Sequence, residues 1–314
     1  MRINKKGVME NLFGEIEQPK IYEVNIYADE IMNKKCSYTN ELWNYIGIII
    51  ENCKKPILDE IIRERFMNNF DTSSPYYEKN NKVIHWKEMK SADEVNICKR
   101  WFNYILNNEN FYFYLLGLNV SKLNIEEFDQ ENEFNSIYNR FFRAAVLYGV
   151  KTFFSDYEVI IQNIYHEQGQ QQNHQYFPWH IIHKISQSEE KISFSCSEVT
   201  FLSKDHKIKK ESNILQLVDA LMGAITNIIH GVEQSKKSNN REPLLKIILN
   251  KVQIATSNTY TDEWVKKHFL IRFFPKKKTT IDDRWRYLNQ FYNIRKLKYI
   301  EDISYGERTL FDQN

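Results

Sequence analysis

One stretch in the last third of the chain restricts the fold more than any other. Residues 214–229 put Ile214, Leu217, Val218, Leu221, Met222, Ile225 and Ile229 on one stripe of a helix that closes at His230-Gly231. A single carboxylate, Asp219, falls on the border of that stripe. A helix this apolar has to lie against a core, and an acid carried into a core is costly unless its charge is compensated. Gly223, one turn later, lets the helix approach its neighbour closely, which brings the carboxylate within reach of a sheet. The run 21–28 raises the same problem. Tyr22, Val24, Ile26 and Ala28 alternate with more polar positions as in a half-buried strand, and the run ends in Asp29-Glu30. A divalent metal shared by the two segments is a compact compensation, and it would make the site a phosphoryl-transfer centre.

Between these segments the pattern alternates. After an irregular lead-in over 1–19, the strand at 21–28 is followed by a second at 42–50. A helix opens at Pro56 and runs through Phe66, and 71–75 form a loop. Val83 to Trp86 reads as a short strand, and Ser91 with Glu94 makes a capping box for a helix through Leu106. Then come a strand at 111–120, a long helix at 135–148, a strand at 157–165, a helix at 174–185, a strand at 192–202 and the apolar helix. This order implies a mixed α/β layer fold.

The chain has 314 residues, enough for one large domain or a domain with additions. Its four cysteines show neither CxxC nor zinc spacing, which implies reduced thiols and a cytoplasmic protein. No signal-peptide core stands at the N-terminus, and no window is read as the ~18 apolar residues of a membrane span. Net charge is +2, but unevenly spread. From Trp264 to Ile300 there are eleven Lys or Arg against two Asp, interleaved with aromatics such as Trp285 and Tyr287. Such a mixture suits a nucleic-acid surface, with Lys276, Lys277, Lys278, Arg284 and Arg286 on phosphates. The other reading is an ordinary element whose aromatics face the core and whose charges face water.

Tyr27-Ala28-Asp29-Glu30, Glu88-Met89-Lys90, and Ser203-Lys204 followed by Leu215-Gln216-Leu217-Val218-Asp219-Ala220-Leu221-Met222-Gly223 carry a resemblance. Together they resemble a domain family of unknown function numbered 3800, whose members are similar to ribonuclease H-like proteins. The family pattern is an apolar strand ending Asp-Glu-Ser-Gly, an internal Glu-Leu-Lys, and a late Ser-Lys before Leu-Gln-x-Ala-Asp-x-x-x-Gly. Here Ile31-Met32 replace Ser-Gly, and Val218 replaces the Ala. The acid that the family places on its late central strand has Glu167 as its nearest candidate.

The resemblance spans about 20–232. It implies a ribonuclease H-like domain there, with 1–19 as lead-in and 233–314 as a basic, aromatic extension. It further implies a nuclease or nuclease-like effector using Mg2+ or Mn2+, in the company of bacterial anti-phage or mobile-element systems. Asp29 and Asp219 are then metal ligands, with Glu30 beside them. Glu88 and Glu167 are the remaining candidate acids, and Glu88 reads equally as a surface acid. Lys204 is either a phosphate contact or a surface lysine. His85, His166 and His174 lack an i,i+4 partner of the metal-binding kind. The partner would be DNA or RNA, or a protein of a defence system, and no membrane. The alternative is a non-catalytic ribonuclease H-like module with a degenerate site. No Walker loop, G-x-S-x-G or Cys–His nucleophile pattern supports another hydrolase class.

Overall fold

The structure is a computed structural model that describes residues 2–3, 9–10, 20–36, 39–123, 133–174, 176–231, 236–256 and 262–274. Two short strands, β1 (Arg2–Ile3) and β2 (Met9–Glu10), pair with each other antiparallel. The main body is a mixed sheet of β3 (Ile21–Lys35), β4 (Leu42–Asn52), β5 (Phe111–Asn119), β6 (Glu158–Glu167), β7 (Ile192–Phe194), β8 (Thr200–Leu202) and β9 (Phe269–Phe274). Its order is β7-β6-β3-β4-β5-β9, with β8 also on β6. β4 is antiparallel to both of its neighbours, β3 and β5. β6 runs parallel to β3, β7 and β8 run parallel to β6, and β9 runs parallel to β5.

Local chemistry explains most boundaries. The run Ile46 to Ile50 is apolar on both faces because both faces of β4 are covered. Ser91 accepts from the Glu94 N–H while Glu94 accepts from the Ser91 N–H, so the predicted capping box starts α3 (Ala92–Ile105). Helices α1 (Leu58–Phe66), α3, α6 (Ser212–His230) and α7 (Lys236–Thr256) share a core with Tyr27 and Ile31 on one face of the sheet. Helices α4 (Glu133–Phe153) and α5 (Phe177–Ser188) share the other core with Val24, Ile26 and Ala28. Two short helices, α2 (Pro75–Asn80) and α8 (Glu263–His268), complete the set.

Three expectations need correction. First, β3 does not stop at Ala28 but continues to Lys35, so Asp29 and Glu30 lie within the strand and point to opposite faces. Second, residues 83–86 are not a strand. Their N–H groups bond to side chains of α6, the Ile84 N–H to Gln216 at 2.9 Å and the Trp86 N–H to Asp219 at 2.7 Å. Third, the span 192–202 is two three-residue strands that pair with different stretches of β6.

α6 is buried along its whole length, between the sheet and the helices α1, α3 and α7. It is long and apolar enough to cross a bilayer, contrary to expectation, but here it is the core helix. Glycine lets it pack closely at two points. A Cβ on Gly223 would drive into the Trp86 indole, and one on Gly47 of β4 would meet the Met222 thioether. The close approach to the sheet is therefore made at Gly47, while Gly223 accommodates the 83–90 loop.

The described part of 233–314 belongs to this same body. α7 packs on α3 and α6, and β9 extends the sheet from β5. Phe269 and Phe273 are buried while Lys266 and Lys267 are exposed, so the aromatics of this part face the core.

Candidate functional site

Parallel pairing lines up three chain segments. Ala28 is in register with His166, which brings Glu167 at the end of β6 beside Asp29; Glu167 in turn pairs with Leu202 of β8. Lys204 follows two residues later, and α6 carries Asp219 across the same end of the sheet. The result is one ammonium among three acids. Lys204 Nζ lies 3.1 Å from Asp29 Oδ2, 2.9 Å from Glu167 Oε2 and 3.4 Å from Asp219 Oδ2. Asp29 and Asp219 thus come together, as expected. Lys204 is only 8% exposed, so it is neither a surface lysine nor, as placed, a phosphate contact; it is the counter-ion of the acids.

Each acid is held differently. Asp29 Oδ1 accepts from the Glu30 N–H at 2.8 Å, whereas Oδ2 is buried without a well-aligned hydrogen bond. Burial pushes the Asp219 carboxyl up, but the His85 ring, the Lys204 charge and the Trp86 N–H outweigh it and hold the acid below its usual range. His85 presents Nδ1 3.1 Å from Asp219 Oδ2, and a third of its side chain reaches solvent. Burial and the Asp29 charge push Glu167 up to about 9 against the pull of Lys204. The Lys204 ammonium resists burial because Asp29, Asp219 and Glu167 surround it, and its pKa is raised.

Glu30 faces the opposite core. Burial and the Asp29 charge push it up to about 8. Its Oε2 lies 3.3 Å from the Tyr138 hydroxyl and 3.3 Å from His166 Nε2. His166 Nδ1 sits 2.6 Å from the Glu167 carbonyl, which can only accept, so that nitrogen carries the proton and Nε2 accepts from Tyr138 at 2.6 Å. Burial keeps this imidazole neutral. Glu88 is exposed in the turn after Trp86 and stands outside the convergence. Lys276, Lys277, Lys278, Arg284 and Arg286 lie outside the described residues.

The groups that position this centre left little mark in the sequence. Gln216, one turn before Asp219, accepts from the Ile84 N–H and from Arg65. Its amide nitrogen donates to the Lys204 carbonyl at 2.6 Å and to His206 Nδ1 at 3.2 Å. One side chain thus fixes both loops that reach the acids. Arg65 is fully buried, donates to Asn213 Oδ1 at 2.7 Å and to the carbonyls of Asn80 and Lys82, and lies over the Trp101 ring. The Gln-x-x-Asp spacing was a usable signal for Gln216. The His85-Trp86 pair beside an internal Glu was one for His85, but Arg65 has no local signal.

Carboxylate oxygens are the donors that Mg2+ and Mn2+ prefer, so the chemistry of Asp29, Glu167 and Asp219 suits such an ion. Lys204 holds the point on which those oxygens converge. Among the described residues no three carboxylate, imidazole or thiolate groups are spaced, as placed, to grip one ion. A cation would therefore take the position that Lys204 now fills. Compared with known families and with curated proteins, the chain matches no family model and no curated sequence.

Proposed function

We propose that the chain is a phosphodiester hydrolase of ribonuclease H-like type that acts on nucleic acid. Asp29, Glu167 and Asp219 are the acids that would hold Mg2+ or Mn2+. The observation that carries this reading is the convergence of those three carboxylates, from β3, β6 and α6, on one point. The sheet supports it too: three antiparallel strands, then parallel strands added across the first, with Asp29 and Glu167 on the parallel pair β3 and β6. A divalent cation on these oxygens supplies charge neutralisation at a phosphate and acidifies a bound water. The chain itself keeps Asp219 ionised, orients His85 on it, and clamps both loops through Gln216. Lys204, once displaced from the acids, has a flexible stem and a charge suited to a phosphate oxygen. The test is cleavage of labelled DNA and RNA in Mn2+ and in EDTA. Wild type should cut only with the metal, and Asp29→Asn and Asp219→Asn should not cut. Equal cleavage by both variants would sink the reading.

A second reading is favoured by the same lysine. If Lys204 is a permanent counter-ion, the fold is a non-catalytic module that binds nucleic acid or a protein partner. Calorimetry separates the two, because the module takes up no Mn2+. A role in anti-phage defence or a mobile element follows from the motif resemblance, a cytoplasmic location follows from the cysteine pattern, and both belong to this proposal.

A further inference from the structure

The two loops that Gln216 clamps also carry charge outward. Between β8 and α6 the chain turns back through Lys207-Ile208-Lys209-Lys210, and all four residues are exposed. Lys82, just after α2, is exposed as well. Each loop places its first lysine three residues from a member of the acid centre, Lys207 from Lys204 and Lys82 from His85.

The turn is built rather than loose. The Lys207 N–H donates to Asp205 Oδ1 at 3.0 Å, the Ile208 N–H to the Asp205 carbonyl at 3.1 Å, and the Ser212 hydroxyl to the Ser203 carbonyl at 2.6 Å. It is also tied to the other loop. Asn213 Nδ2 donates to the Lys210 carbonyl at 2.8 Å, Asn213 Oδ1 accepts from Arg65, and Arg65 donates to the Lys82 carbonyl at 2.8 Å. His206 Nε2 lies 2.8 Å from Asn81 Oδ1. Burial pushes the Arg65 guanidinium down to about 9. A buried cation is a costly way to join two surface loops, and what it secures is their fixed separation.

The acids of the turn are engaged elsewhere. Asp205 is bonded back onto its own loop by the Lys207 N–H, and Glu211 lies close enough to the sheet to raise the Tyr27 and Tyr165 phenols. Among the described residues none of the four ammonium groups pairs with a carboxylate. Cations held at a fixed separation and left to solvent suit a polyanion of regularly spaced charge. The acids of the centre repel a phosphate, so cations around them are what would bring one there. We infer that Lys82, Lys207, Lys209 and Lys210 form a rim that holds the phosphates of a nucleic acid beside the acid centre. The role in delivery rests on the phosphodiesterase reading, but the binding itself does not.

The experiment is fluorescence anisotropy of the full chain in EDTA over a range of salt concentrations. The probes are a labelled DNA duplex and a labelled single strand, and co-sedimentation with vesicles of phosphatidylserine and phosphatidylcholine tests a second polyanion. Wild type should bind both nucleic acids, with an affinity that falls steeply with salt. Lys207→Gln, Lys209→Gln and Lys210→Gln together should weaken duplex binding roughly tenfold or more and flatten the slope of log affinity against log salt by about 2, since each phosphate contact contributes about 0.9. Lys82→Gln should flatten it further by up to about 0.9, and arginine at all four positions should keep the wild-type slope. Removing the same charge elsewhere, with Lys20→Gln, Lys184→Gln and Lys191→Gln, should leave the slope unchanged. All these side chains are exposed, so unchanged thermal midpoints will show that the variants fold. No binding of nucleic acid by wild type, whether or not vesicles are bound, would overturn the rim. So would a wild-type slope in the triple variant, or equal flattening in the control. Binding through the rim in EDTA with no cleavage in Mn2+ supports the rim and defeats the phosphodiesterase reading alone.

Discussion

The Lys204 ammonium lies 3.1 Å from Asp29 and 3.4 Å from Asp219, so one flexible side chain neutralises acids brought from the first long strand and from the core helix. A metal in that position would meet a like charge at close range, worth several kcal/mol even at an effective dielectric constant of about 20. Lys204→Met should therefore bind Mn2+ at least ~10-fold more tightly by calorimetry. In EDTA the same variant should be less stable by ~3–5 kcal/mol, because buried acids lose their partner. Wild-type affinity in Lys204→Met would mean that the lysine and the metal do not compete.

Asp219→Asn tests whether that acid serves only a ligand or also the fold. Its ionised form is the one the protein favours, since its carboxyl is held below the usual range by His85, Lys204 and the Trp86 N–H. Neutralising it should lower stability by ~1–3 kcal/mol in the absence of metal. The simple view of clustered acids, in which removing one relieves repulsion, predicts the opposite sign. Urea denaturation at pH 7 in EDTA decides between them.

Two buried histidines should cost the protein stability at a pH where ordinary carboxylates are still ionised. Burial pushes His230 and His206 down to about 3. The bonding agrees for His206, whose Nδ1 faces the Gln216 amide while Nε2 lies 2.8 Å from Asn81 Oδ1. Both rings are neutral when folded and take up a proton near pH 6.5 when unfolded. Their contribution to stability is thus full above pH 6.5 and falls as pH drops from there towards 3, whereas Glu30 and Glu167, pushed up to about 8 and about 9, contribute a slope of the opposite sign above their ordinary range. Each such ring contributes a slope of up to ~1.4 kcal/mol per pH unit. Urea midpoints between pH 7.5 and 5 read this as a difference: His206→Gln with His230→Gln should lose less stability than wild type as the pH falls. An unchanged slope in the double variant would place the effect in other groups.

Two glycine substitutions should separate a rigid contact from a yielding one. Gly223→Ala pushes against the indole of Trp86, whose own backbone N–H holds Asp219, and overpacking of that kind costs ~1–3 kcal/mol. Gly47→Ala meets the end of the Met222 side chain, which has rotamers to retreat into. Thermal midpoints should fall more for Gly223→Ala, and its tryptophan fluorescence should shift. Equal losses would mean that Met222 is as confined as Trp86.

Asp29 and Asp219 were readable from sequence because each sits on a regular element, an alternating strand and an apolar helix, whereas Glu167 was named only through the motif resemblance, two residues past the expected end of its strand. Their counter-ion was not, because the sign and burial of Lys204 depend on three segments far from it in the chain. His85 was set aside for lack of an i,i+4 partner, while its actual neighbour, Asp219, comes from another part of the chain. Val83 to Trp86 mimics a strand in its apolar content, yet its N–H groups are satisfied by Gln216 and Asp219, and no periodicity shows a backbone bonded to side chains. Arg65 looks like any helical arginine, and only the fold reveals that it lies over the Trp101 ring with neutral partners.

The parallel pairing of β3 with β6 has a consequence for the order in which the molecule becomes competent. β3 is made early, but its register partner comes after four helices and two other strands, and α6 emerges only after β8. Contacts of such long sequence separation form late. During synthesis a chain released before Asp219 has no third acid, and one released before Lys204 has no internal counter-ion. The centre therefore exists only once most of the polypeptide has been made. If that centre cuts phosphodiesters as proposed, truncated and nascent chains stay harmless to the nucleic acids around them.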